Sequence, residues 1–127
     1  MANALLVNID LDRGLEILRI LDEAGLKISV ALWVHLEQYA DWQFLVSSRR
    51  LDTVSLRDGF RLINDALDAA GFTIEKVPPI LILPMNDPSI RALRRMFSKS
   101  GSVEGMRVGG QQIGNRWVED GYVYRIK

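Results

Sequence analysis

Apolar residues at Ile28, Val30, Leu32, Val34 and Leu36 alternate with Ser29, Ala31, Trp33 and His35, a period-two pattern that predicts a strand with two distinct faces. A second run, Trp42 to Val46, follows a polar bend at Glu37 to Asp41, so residues 27–49 predict an antiparallel hairpin. On either side of it the period changes to 3.6. Leu11, Leu15, Leu18 and Leu21, widened by Ile17 and Ile20, predict a helix from about Leu11 to Ala24, with Asp10 or Asp12 as its cap and Gly25 as its stop. Ala4 to Ile9 fits either an extra helical turn or a short strand. Leu56, Phe60, Ile63, Leu67 and Ala70 predict a second helix, capped by Ser55 with Asp58 three residues on. The two helices end alike, in LDEAGLKI and LDAAGFTI. A left-handed glycine followed by an apolar residue folding back on the last turn explains the echo without a duplication.

All four prolines fall between Pro78 and Pro88. Thr73 to Val77 reads as an extended lead-in, and Ile80 to Leu83 as a short strand covered on both faces. Asp87 followed by Pro88 is a strong helix start, and a third helix to about Ser98 buries Ile90, Leu93, Met96 and Phe97 and exposes Arg91, Arg94 and Arg95. The remainder holds six of the ten glycines and turns to β patterning. Gly109-Gly110 and Asp120-Gly121 are both two-residue hairpin signals, so three strands are predicted: about Gly105 to Val108, Gln111 to Val118 and Tyr122 to Ile126. In that register Arg116 faces Arg125. One face carries Met106, Val108, Ile113, Trp117, Tyr122, Tyr124 and Ile126, and the other Arg107, Gln112, Arg116, Arg125 and Lys127.

The elements sum to an α+β fold in one domain, residues 1–127. It has a mostly antiparallel sheet of about five to six strands and three helices packed mainly on one face, in the order α-β-β-α-β-α-β-β-β. Composition adds little: 48% hydrophobic and 25% charged residues are ordinary globular usage. Charge adds more. The net of zero conceals 8 basic and 13 acidic residues up to Asp87, against 8 basic and 3 acidic from Pro88 onward. Such a split marks either a surface for an acidic partner or two halves that face each other. With no cysteine, a disulfide framework, thiolate metal sites and a cysteine nucleophile are excluded, and a reducing, cytoplasmic location is expected. MANALLVNIDLDRG has no basic leader, and no run reaches the length of a membrane span.

Candidate chemistry is sparse. One histidine cannot supply a typical zinc site, so no metal and no cofactor are expected. Asn8, Asp10 and Asp12 before Gly14 fail as a calcium loop, because the glycine stands one position late and Arg19 occupies the place of the bidentate glutamate. His35 could serve a triad with Ser29, Ser47 or Ser48, but none lies in a nucleophile elbow, and a hydrogen-bonded structural histidine is the simpler reading. The start of the third helix offers Asn86, Ser89 and Arg91 to an anion, although the Asp87 carboxylate competes for the same amides. These features favour a non-enzymatic binding or accessory module of a bacterial, cytoplasmic kind. It would engage a protein partner, or itself as a homodimer, through Trp33, His35, Tyr39 and Trp42 of the hairpin. One alternative is nucleic-acid binding by a basic C-terminal sheet face, with Arg91, Arg95, Arg107, Arg116, Arg125 and Lys127 tracking phosphates. Another is a small hydrolase or nucleotide-binding enzyme using His35 or the third helix start. No membrane partner is expected.

Overall fold

The computed structural model of the chain describes Leu6 and residues 8–127. Its organising strand is the one with the alternating pattern. β1 (Val30–Leu36) pairs antiparallel with β2 (Gln43–Ser47) across the bend at 37–42, in the register Val30↔Ser47 to Val34↔Gln43. All seven residues of β1 are buried, because both of its faces are covered and both of its edges are paired. The alternation therefore separates two cores, not core from solvent. Ala31 and Trp33 pack with Phe44 and Val46 under α1 (Asn8–Glu23) and α3 (Leu56–Ala69), while Val30, Leu32, Val34 and Leu45 pack with Ile90 and Leu93 of α4 (Pro88–Met96). Two of the three long helices thus share one face and the third lies on the other. Among the described residues the sheet has six strands in the order β3 (Ile80–Ile82), β2, β1, β6 (Arg116–Ile126), β4 (Arg107–Val108), with β5 (Gln111–Ile113) also on β6, and only the β2–β3 pair is parallel.

Local chemistry sets most helix boundaries as the sequence suggests, but α1 begins at Asn8, so Asp10 and Asp12 lie within its first two turns and neither is its cap. Ser55 Oγ accepts from Asp58 N and Asp87 accepts from Ser89 N, each satisfying an amide that a helix start leaves free. Gly25 and Gly71 are left-handed at φ 81° and 79°, and Leu26 and Phe72 bond back to Leu21 and Leu67 carbonyls. Of the ambiguous stretch from Ala4, Asn8 and Ile9 begin α1 and Leu6 packs on the core beneath it; the rest lies outside the described residues. Between β2 and the Ser55 cap stands an element that periodicity did not predict: Ser48 caps a one-turn helix, α2 (Arg49–Asp52), accepting from Leu51 N at 3.0 Å. Ile74–Lys76 is a 3₁₀ turn, not an extended lead-in. β3 (Ile80–Ile82) follows it at the edge of the sheet.

The C-terminal meander is where the sequence reading fails. Asp120-Gly121 is not a turn: β6 runs unbroken from Arg116 to Ile126. Gly109-Gly110 is not a turn either. β4 (Arg107–Val108) and β5 (Gln111–Ile113) hold one unchanged antiparallel register against β6, from Arg107↔Tyr122 and Val108↔Gly121 to Gln111↔Val118 and Ile113↔Arg116. They are one interrupted strand, and the only reversal is at Gly114-Asn115, with Gly114 at φ 63°. The tail is therefore a single long hairpin whose far half, from Val118 on, pairs with β1. Tertiary pairing overrides local turn preference here, since Gly121 sits between β1 and β4 where a Cβ would lie 2.6 Å from Val108 Cγ2. A glycine read as a hinge is a glycine required by crowding.

Candidate functional site

The altered register redistributes the arginines. Antiparallel partners share a face, and bulges near Tyr124 and Glu119 shift the parity of β6. Arg116 and Arg125 therefore never oppose one another, and no single basic face forms. Arg116 lies beside the start of α4, where one guanidinium nitrogen donates to Asp87 Oδ1 at 2.7 Å and to Ser89 Oγ at 2.9 Å. Arg125 reaches the opposite side and donates to Asp22 Oδ1 and to the Ile28 carbonyl, both at 3.0 Å. Arg107 pairs with Asp120. Each sheet arginine thus meets an acid, and two of these acids, Asp22 and Asp87, come from the acidic part of the chain. Arg91, Arg95 and Lys127 remain exposed around α4.

The hairpin aromatics do not make a surface. Trp33 is buried edge-on against Phe44, and its indole N–H donates to Tyr124 Oη at 3.1 Å. His35 is buried on Trp42, with Nε2 3.3 Å from the Ala40 carbonyl, a contact that requires the proton on Nε2. That bond spans the 37–42 bend and closes it. Of the four residues expected to contact a partner, only Tyr39 is exposed; Trp33, His35 and Trp42 belong to the packing. Nor do Asn86, Ser89 and Arg91 converge. Ser89 is buried, donating to the Ile113 carbonyl at 2.9 Å while Arg116 donates to it, whereas Asn86 and Arg91 point into open space.

That open space is a cleft of about 630 Å³ at the carboxyl ends of β2 and β3, the one parallel pair in the sheet. Chains leaving parallel strands diverge into the helices that follow, and the gap between them is a common place for a ligand. α2 leaves β2 on one side and the Pro84 to Asn86 loop leaves β3 on the other. Leu51, Ile82 and Met85 give the cleft an apolar floor, and Arg49, Arg91 and Arg94 line it. Asp52 ties the two sides together, accepting from Met85 N at 3.2 Å with one oxygen and 3.4 Å with the other. Arg94 donates through Nε to the main-chain oxygen of Lys127 at 2.8 Å, and its terminal nitrogens have no partner among the described residues. Arg49 and Arg91 are exposed, with no acid or carbonyl partner among the described residues.

Asn86 and Arg91, with Arg94 one turn further along the same helix, were the legible part of this site. Arg49 and Asp52 join it from α2, Asp52 through its bond to Met85 33 positions away, and the only sequence signal for them was an Arg49-Arg50 pair directly after a buried strand. Among the described residues no three His, Cys, Asp or Glu side chains gather into a metal-holding group, and no helix is long and apolar enough to cross a membrane. Comparisons of the chain with protein-family models, with curated proteins and with solved structures find no match.

Proposed function

We propose that this chain is a non-catalytic binding module that takes an anionic segment of a protein partner into the cleft between α2 and α4. The observation that carries the reading is a contrast. The three arginines of β4 and β6 are satisfied by Asp120, Asp87 and Asp22, while Arg49 and Arg91 stand without partners among the described residues, beside Arg94 around an apolar floor. Guanidinium groups placed so can form two-pronged bonds to a carboxylate, and the floor can take an adjacent aliphatic side chain. A phosphate backbone would use the charge but not the floor. Selection from a library of random displayed seven-residue peptides checks the reading. Peptides rich in Asp or Glu next to aliphatic residues should be enriched by the wild-type protein and lost with Arg49→Glu/Arg91→Glu, and their affinity should fall as salt rises. Enrichment with no acidic bias, or the same enrichment by the charge-reversed variant, would refute it.

A further inference from the structure

Among the described residues β3 forms one edge of the sheet, and only its inner side is paired. Phe44 N donates to the Pro79 carbonyl at 2.8 Å and Leu83 N to the Val46 carbonyl at 3.2 Å, so the odd-numbered residues of this segment face β2. Strand alternation then turns the amides and carbonyls of Ile80 and Ile82 outward. No strand, cap or side chain among the described residues meets them there. Pro79 and Pro84 bracket this open edge and confine it to three residues, which guards against indiscriminate strand pairing while leaving a short template. Ile82, the last residue of the template, also lines the arginine cleft. An open edge therefore leads directly into a cationic pocket.

Resting on the cleft reading above, we infer that the partner segment binds as a short added strand along β3, with its acidic residues beyond the paired stretch and held by Arg49, Arg91 and Arg94. Main-chain pairing supplies orientation, and the arginines supply selectivity for an acidic flank. The probes are two fluorescein-labelled peptides, acetyl-Val-Ile-Val-Glu-Glu-amide and acetyl-Glu-Glu-Val-Ile-Val-amide, which present the acids at either end of a strand and cover parallel and antiparallel addition. Fluorescence anisotropy should show one binding more tightly than the other, and Arg49→Glu/Arg91→Glu should weaken it at least about tenfold. N-methylation then tests the pairing itself. Methylating the central Ile and methylating both Val residues block amides on opposite edges of the added strand. One pattern should weaken binding about tenfold or more and the other by less than about threefold. If both patterns weaken binding equally, or neither does, strand addition is wrong; retained dependence on Arg49 and Arg91 in that case leaves the cleft reading standing. Failure of both peptides to bind overturns the inference. So does tighter, arginine-dependent binding of a twelve-nucleotide single-stranded DNA, which would make the cleft a nucleic-acid site.

Discussion

Tyr124 joins three elements through one phenol. Its hydroxyl accepts from Trp33 Nε1 at 3.1 Å and donates to the Leu11 carbonyl at 2.6 Å, so β6, β1 and α1 meet at a single oxygen. Gly14 permits the approach, because a Cβ there would lie 2.4 Å from that oxygen. Burial raises the Tyr124 phenol above the ordinary tyrosine range, with the Trp33 hydrogen bond opposing the shift in part. The sign follows from which state holds the proton. The folded chain keeps it past pH 10, while the unfolded chain loses it near pH 10, so stability contributed by this group is complete below pH 10 and declines above it. Denaturant titrations between pH 8 and 11.5 should show this alkaline decline in the wild type and a shallower one in Tyr124→Phe. At neutral pH the same variant should be less stable by about 1–3 kcal/mol, since the Trp33 donor and the Leu11 acceptor lose their partner. Equal slopes for the two proteins would remove Tyr124 from the account. Caps and glycine stops were legible at this scale because each acts within five residues. The Trp33 and Tyr124 pair, 91 positions apart, was not.

Among the elements, the C-terminal hairpin and the start of α4 are bound together at one place. Gly114 in the turn lies against the Pro88 main chain, where a Cβ would come within 2.5 Å of the Pro88 carbonyl carbon and Ser89 N. Arg116 then bridges hairpin and helix through Asp87 and Ser89. Its side chain is 23% exposed and that of Asp87 11%, against 55% and 41% for Arg107 and Asp120. Removing one member of a largely buried pair strands the other charge, whereas an exposed pair exchanges its partner for water. Arg116→Met should therefore cost about 3 kcal/mol and Arg107→Met less than about 1 kcal/mol in chemical denaturation. Comparable losses would mean that the Asp87 cap is satisfied without Arg116. The hairpin register was misread for a physical reason. Asp-Gly and Gly-Gly favour reversal when the flanking strands have only each other to pair with, and here β1 claims residues 118–126 and holds them extended.

For the molecule as a whole, the α+β class, the element order through α4 and the mostly antiparallel six-stranded sheet follow from periodicity and turn residues. Strand order does not, because nothing local to Val30–Leu36 indicates that its second neighbour begins near Val118. The candidate cleft was legible only at Asn86, Arg91 and Arg94, since a site between diverging strands draws on residues whose proximity depends on that order. Sheet order also dictates a gradient of stability. β1 is paired on both edges and covered on both faces, whereas β3 is short, half-buried and paired on one side. Native-state hydrogen exchange should find the slowest amides in Val30–Leu36, with Ile80 and Ile82 exchanging orders of magnitude faster. Equally slow exchange at Ile80 and Ile82 would show that the edge is covered and that nothing can add to it.

β6 has a further consequence, which concerns time. The strand that completes the second side of β1 is translated roughly 80 residues after it, so a nascent chain carries Val30–Leu36 with one flank bare until Val118 to Ile126 have emerged. During that interval the buried edge of the finished molecule is its most adhesive part. The fold thus depends on its last-made strand to conceal the one that organises it.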